Sequence, residues 1–207
     1  MKCLRKFILG EMRTNCYLLW QETGREAVII DPADDGVSLA QEINQMGLRP
    51  KMILLTHGHF DHCMGALDLK LIFDIPVAAN SKDLFLLKRI AETASYFLKR
   101  KVEVPPIKKI DLVLDEKSVV KIGKTKLRII ETPGHTPGGV CFYEKDSESL
   151  FSGDTLFFGT IGRTDLSYSS KLDMAESLKK LWKLPKTTMV HPGHGKDTTI
   201  GQEIVRS

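Results

Sequence analysis

A single mixed α/β (α+β) domain spanning residues 1–207 is the architecture this sequence predicts, and three observations predict it. Four apolar, β-branched-rich runs each end in a Pro- or Gly-containing turn that carries histidine or aspartate. Amphipathic stretches of helical spacing alternate with such runs. Of the six histidines in 207 residues, three crowd into the run Thr56-His57-Gly58-His59-Phe60-Asp61-His62.

Taken in chain order, strands are expected near residues 3–9, 15–21, 26–31 and 52–56, with helices near 36–47 and 63–73. Residues 81–101 read as one long helix, because Leu84, Leu87, Ile90, Ala91, Ala94 and Leu98 recur at helical spacing. Ser81 is its expected N-cap, and Pro105-Pro106 follows its end. The second half alternates strands at 110–114, 118–122, 125–131, 139–144 and 149–153, with a helix at 170–183 and another at the terminus. Phe85, Tyr96 and Phe97 are either core residues or a wall beside the site. At this length, with 42% hydrophobic residues and no linker, repeat or low-complexity tract, one core suffices.

The ligand-bearing turns repeat one pattern. Met52-Ile53-Leu54-Leu55 leads into the histidine run, and Leu127-Arg128-Ile129-Ile130 into Thr132-Pro133-Gly134-His135. Ser149-Leu150-Phe151 leads into Ser152-Gly153-Asp154, and Thr187-Thr188-Met189-Val190 into His191-Pro192-Gly193-His194-Gly195. If these strands share a direction, their C-terminal ends converge on one edge. Imidazole and carboxylate suit zinc, iron or manganese.

Residues two apart in an extended loop face the same side, so His57 and His59 can share one ion with His135. Asp61, His62 and His194 would hold a second, and Asp154 has two oxygens with which to bridge. Alone, Asp154 would read as an ordinary turn residue. His191 competes with His194 for the ligand role; the Pro-Gly bend separates their directions, and His194 is favoured. Cysteine is absent from the ligand motifs except as the neighbour Cys63, which argues for an open catalytic site over a closed structural one. The expectation is two divalent ions, zinc foremost and iron or manganese as alternatives, with Asp61 also accepting a hydrogen bond from the attacking hydroxide.

The set His-x-His-x-Asp-His, Pro-Gly-His, Gly-Asp and Gly-His resembles the metallo-β-lactamase superfamily, from about Asn15 to about Ile200. Finer details are similar to its glyoxalase II (hydroxyacylglutathione hydrolase) branch: Asn15-Cys16-Tyr17-Leu18, Ile30-Asp31-Pro32, Thr132-Pro133-Gly134-His135-Thr136-Pro137-Gly138, and Gly153-Asp154-Thr155-Leu156-Phe157 followed by Gly162-Arg163. The resemblance implies an αββα sandwich with the metals at one edge. It also implies that Asp31 supports the histidine loop, although a plain turn before Pro32 would explain it as well. The sequence departs from the fuller pattern at Thr164-Asp165 and Gly195-Lys196, where aromatics are usual. It also ends without the family's glutathione-binding helical segment, so shorter bacterial and archaeal hydrolases are the nearer resemblance.

A net charge of +4 is mild, and no nucleic-acid partner is expected. Lys82, Lys88, Arg89, Lys99, Arg100, Lys101, Lys108 and Lys109 read as a solvated face or as a rim that steers an anion. No stretch approaches membrane-spanning length and the N-terminal apolar run is too short for a signal core, so a cytoplasmic protein is expected. The four scattered cysteines fit reduced structural thiols. The expected partner is a small anionic thioester, met by Arg163 and Lys196, although a surface ion pair is the ordinary role for each. A thiolate leaving group, with a conjugate-acid pKa near about 8.5, needs little help from a general acid. The rival is an iron persulfide dioxygenase using residues that match His57, His135 and Asp154; a lactonase or nuclease of the same superfamily ranks lower. The sequence is silent on oligomeric state.

Overall fold

The computed structural model describes residues 2–206. Two six-stranded sheets form its centre. The first holds β1 (Lys2–Leu9), β2 (Thr14–Gln21), β3 (Glu26–Ile30), β4 (Arg49–Leu54), β5 (Val77–Ala79) and β6 (Leu112–Val113), in that order across the sheet. The second comprises β7 (Val119–Ile122), β8 (Thr125–Glu131), β9 (Val140–Glu144), β10 (Ser149–Gly153), β13 (Met189–Pro192) and β14 (Thr198–Thr199), ordered β14-β13-β10-β9-β8-β7. β11 (Leu156–Phe157) and β12 (Thr160–Ile161) make a small antiparallel ribbon.

Both faces of β2, β3, β9 and β10 are buried, which is why they read as largely continuous apolar runs, whereas β8 alternates. In β2, Tyr17 and Leu19 turn toward the second sheet, where they meet Phe142 and Phe151 along with Val28, Ile30 and Leu54. Cys16 and Leu18 turn the other way, into a layer with Leu39, Ile43, Leu69 and Ile90. Behind the second sheet, Cys141, Tyr143, Leu150 and Val190 pack with Leu181 and Ile200. The helices of the first side are α1 (Gly36–Gln45), α2 (Phe60–Cys63), α3 (Ala66–Phe73), α4 (Leu84–Leu87) and α5 (Ile90–Leu98). Those of the second are α6 (Lys171–Leu181) and α7 (Ile200–Arg206). Helix, sheet, sheet, helix is the αββα sandwich.

The expected helix over residues 81–101 is three pieces: a 3-10 turn at Ser81–Asp83, then α4 and α5. Asn80, not Ser81, caps it, its side chain accepting from the Lys82 amide. The interruption at Lys88-Arg89 has a cause: the Leu87 carbonyl accepts from the Ile107 amide at 3.1 Å instead of continuing the helical ladder. The expected helix 63–73 starts at Ala66 as α3, Cys63 instead closing the separate α2, and Gly65 between them donates its amide to the Ala33 carbonyl at 2.8 Å. Strands β5, β11, β12 and β14 were not legible beforehand, since two or three residues show no period. Within the expected basic face, Arg89 pairs with Glu92, Arg100 with Glu11 and Lys101 with Glu103. Among the described residues no helix is long and apolar enough to cross a membrane.

β8 and β10 flank β9 antiparallel to it, and β13 runs parallel to β10. β8, β10 and β13 therefore share a direction, and their C-terminal turns open on one edge. There they meet the turn that follows β4 of the other sheet.

Candidate metal centre

The base of the site is Asp31, which follows β3 in a left-handed backbone conformation, φ 49°. A non-glycine residue is held there only when its surroundings demand it. Its carboxylate accepts from the Thr56 amide at 2.7 Å, the Thr56 hydroxyl at 2.6 Å and His62 Nδ1 at 2.9 Å. Thr56 has one hydroxyl proton and gives it to Asp31, so its oxygen accepts from His57 Nδ1 at 3.0 Å. His135 Nδ1 donates to the Arg163 carbonyl at 2.9 Å, and His194 Nδ1 donates to the Met12 carbonyl at 3.1 Å. Four imidazoles thus spend Nδ1–H on an outer partner and turn Nε2 inward, the arrangement that fixes tautomer and orientation in a metal ligand. His59 is reversed: Nδ1 faces inward, and Nε2 lies 2.8 Å from the Tyr168 hydroxyl.

Two groups result. His59 Nδ1 lies 3.0 Å from both His57 Nε2 and His135 Nε2, with Asp154 Oδ2 at 3.4 Å from His135 Nε2 and 4.0 Å from His57 Nε2. In the second group, Asp61 Oδ2 lies 3.2 Å from His194 Nε2 and 3.6 Å from His62 Nε2. Thr14 donates its hydroxyl to the same Asp61 oxygen at 2.9 Å. Asp154 stands between the groups, Oδ1 at 3.3 Å from His62 Nε2 and Oδ2 at 3.8 Å from His194 Nε2. Gly193 makes this crowding sterically workable, since a Cβ there would sit 2.3 Å from Asp154 Oδ1.

The donor set fits a pair of divalent ions. His59 Nδ1, 3.0 Å from each of the other two inward nitrogens, matches the spacing of ligands around one tetrahedral ion, for which bonds of about 2.0–2.1 Å place nitrogens roughly 3.3 Å from one another. Asp154 Oδ1 is buried and accepts no hydrogen bond, an orphan that a cation would satisfy. Three sets of metal-competent side chains converge here: His57, His59, His135 and Asp154; Asp61, His62 and His194; and Asp31, His57 and His62. The third set shares its histidines with the others, and Asp31 is already saturated by Thr56 and His62, so it is a support.

The groups differ electrostatically. Burial, reinforced by the neighbouring imidazoles, pushes His57 far below the ordinary histidine range, and burial with His135 takes His59 down to about 3. His62 is pulled the other way: burial opposes its charge, but Asp154, Asp61 and Asp31 outweigh burial and raise it. His194 is also raised against burial, by Asp61 and Asp154. Burial would push Asp61 and Asp154 up, yet His62 and the other imidazoles hold both carboxylates below their usual range.

Of the two histidines at the end of β13, His194 joins the cluster and His191 does not. His191 lies within β13, stacks on Phe151 with ring centroids 5.1 Å apart, and pairs through Nδ1 with Asp197 at 2.9 Å. The turn holding His194 is fastened to β2: Asn15 Nδ2 donates to the Pro192 and Gly195 carbonyls, and the Tyr17 hydroxyl donates to Pro192. Cys63 is buried, its thiol on the His59 carbonyl, outside both groups.

A cavity of about 120 Å³ opens over the cluster, walled by Met12, Phe60, Phe97, Leu166 and Tyr168. Phe97 is therefore wall as well as packing, stacked on Phe60 at 5.8 Å, while Phe85 backs Tyr168 and Tyr96 is largely exposed. Arg163 borders this cavity, but its guanidinium forms a two-point pair with Asp165 at 2.7 and 2.8 Å, so the expected anion contact arrives with its charge compensated. Its carbonyl, on His135, is the part that touches the centre. Lys196 does not border this cavity; its ammonium lies 3.6 Å above the Phe158 ring, in a neighbouring hollow that shares His194. Tyr168 and Thr14 escaped sequence reasoning, because an isolated hydroxyl in a loop or at a strand end carries no spacing signal.

A profile of the metallo-beta-lactamase superfamily matches residues 9–194. The chain is 36% identical over 197 residues to the hydroxyacylglutathione hydrolase GloC of Haemophilus influenzae, covering 91% of this chain and 89% of that protein. It is 38% identical over 198 residues to the probable metallo-hydrolase YqgX of Bacillus subtilis, covering 95% and 92%. Among solved structures, the BLEG-1 B3 metallo-β-lactamase aligns with TM-score 0.90 at 36% identity, covering 98% and 97% of the two chains. TTHA1623, solved in a di-iron-bound form, aligns with TM-score 0.86 at 38% identity, covering 97% and 96%.

Proposed function

The chain belongs to the metallo-β-lactamase superfamily, and from that premise we propose that it is a binuclear metallo-hydrolase cleaving a thioester of a small hydroxyacyl group. The observation that carries this reading is Asp154, whose carboxylate stands between two ligand groups at the floor of one cavity, Oδ2 beside His135 and Oδ1 beside His62. The hydroxyacylglutathione hydrolase named above supports the thioester class.

When bound, divalent ions held by His57, His59 and His135 and by Asp61, His62 and His194, with Asp154 between, supply a hydroxide at neutral pH and polarise the scissile carbonyl. Zinc suits these ligands, as does iron, which the TTHA1623 structure contains. Asp61, kept ionised by His62 and His194 and steadied by Thr14, accepts a hydrogen bond from the attacking water. Met12, Phe60, Phe97 and Leu166 exclude bulk solvent from one side of the reacting bond. Among the described residues around the cavity, the acid outside the ligand set is the Tyr168 phenol, which is hydrogen-bonded to His59 and made a weaker acid by burial. A substrate whose leaving group departs unaided fits such a site, and a thiolate does so where an amine does not.

Because Arg163 is compensated by Asp165 and Lys196 sits on Phe158, the thiol half of the substrate is read weakly, and glutathione is dispensable. The test measures zinc and iron content of freshly purified protein, then turnover of lactoylglutathione, a hydroxyacyl thioester lacking the tripeptide, a lactone and a β-lactam. Two ions per chain and comparable thioester rates are expected. One iron per chain with oxygen uptake on glutathione persulfide would replace this reading with a dioxygenase; hydrolysis of the lactone or β-lactam alone would reassign the substrate.

A further inference from the structure

Asp83 is a buried carboxylate, 1% exposed, that neither cation position uses. It ends the 3-10 turn Ser81–Asp83, in the layer outside the first sheet. Its Oδ2 accepts from the Gly58 amide at 2.8 Å and from the Thr136 hydroxyl at 2.7 Å, and its Oδ1 accepts from the Gly138 amide at 2.6 Å. Gly58 lies between His57 and His59, and Thr136 follows His135. One side chain therefore fastens together the two turns that carry the three nitrogens of the first group, although those turns belong to different sheets.

Both turns approach Asp83 at contact distance. A Cβ on Gly138 would stand 2.7 Å from Asp83 Cγ, and one on Gly58 would stand 3.0 Å from Asp83 Cβ. Glycine at both positions is what the close approach requires. The second group is fastened elsewhere: His62 to Asp31, Asp61 to Thr14, and the His194 turn to Asn15 and Tyr17.

We infer that Asp83 is a positioning residue for the first cation position alone, setting the separation of His57 and His59 from His135. The inference rests on the two-cation reading of the site. A carboxylate is the side chain this task needs, because every partner is a donor. Asparagine would turn an NH2 group against either Gly138 N–H or the Gly58–Thr136 pair, opening one turn from the other.

The experiment loads zinc into the full chain and reads affinity by competition with a fluorescent chelator, with thermal melting alongside. Wild type, Asp83→Asn and Thr136→Val are each measured alone, with His194→Leu (first position remaining) and with His135→Leu (second position remaining). Asp83→Asn is expected to weaken the first position by roughly tenfold to a hundredfold, the scale of lost outer partners of a ligand set, and to leave the second within about twofold. Thr136→Val, which removes one of the three donors, should weaken the first position about fivefold, the scale of a single hydrogen bond. It carries the same comparison if Asp83→Asn fails to fold. Equal losses in both backgrounds, or a lowered melting temperature with unchanged zinc affinity, would assign Asp83 to general stability and overturn the inference. Wild type that holds no zinc would instead overturn the two-cation reading on which it rests.

Discussion

The two halves of the ligand cluster are built from similar residues but solve different electrostatic problems. Around His57, His59 and His135 the surroundings are imidazole-rich and buried, so His57 and His59 are kept proton-free and ready to donate. Around Asp61, His62 and His194 three carboxylates crowd the imidazoles, so His62 and His194 hold protons more tightly than a free histidine. A cation would find the first group proton-free through burial, whereas at the second it would have to displace protons. Burial and charge pairing thus pull the same side chain in opposite directions within a few ångströms.

The largest break in this comparison should come from Asp154, which both halves share. Asp154→Ala is expected to take metal content from two ions to fewer than one and to lower turnover by roughly a thousandfold, the upper scale of losing one electrostatic stabiliser. Metal analysis of the dialysed variant checks it, and retention of both ions would refute the shared role.

Removing one half should spare the other. Asp61→Ala or His194→Leu is expected to empty the second position alone, and His57→Ala or His135→Ala the first. His191→Leu should change neither, since that ring pairs with Asp197; its cost is stability, from lost packing on Phe151.

Thr56→Val sharpens the comparison more gently. It strips His57 Nδ1 of its acceptor and Asp31 of a donor while leaving every ligand in place. Zinc affinity at the first position should fall by about tenfold, within the range for outer partners of ligating histidines. Chelator competition measures it.

Acidification from about pH 7.5 to about pH 6, across the ordinary histidine value of about 6.5, should separate the halves without mutation. Raised groups bind protons above that value, so protons compete with the cation at the second position throughout this window. His57 and His59 are lowered and stay proton-free in it. Zinc should therefore leave the second position first as pH falls; calorimetric titration at the two pH values decides, and loss from the first position before the second would contradict the assignment.

The smallest effect is expected from Arg163→Ala. Its guanidinium is spent on Asp165 in an exposed pair, and such pairs contribute little. Its carbonyl, which holds His135, survives the substitution. KM should rise less than about threefold with metal content unchanged. Asp165→Ala, which frees the arginine, should lower KM for an anionic thioester.

Much of this molecule was legible in the sequence. Continuous apolar runs marked the strands, because burial on both faces leaves no alternation to read; β2, with Tyr17 and Leu19 on one side and Cys16 and Leu18 on the other, shows it. The ligand types stood out for a related reason: imidazole and carboxylate right after an apolar strand are costly unless something holds them. Spacing alone makes 81–101 one helix because spacing is local, whereas the bond from Ile107 to Leu87 that interrupts it is not.

What the sequence determined by itself is the inventory: apolar strands, turns at their ends, and eight side chains able to bind cations in those turns, His191 among them. The grouping followed from spacing, but the tertiary structure alone decided which way each ring faces and what holds it there. It paired His191 with Asp197, tied Arg163 to Asp165, and brought Tyr168 to His59 and Asp83 to both histidine turns. The physical reason is the reach of the forces involved. Hydrophobic period and turn chemistry act among neighbours in the chain, while hydrogen-bond direction and charge act among neighbours in space, which only the packing of two sheets brings together.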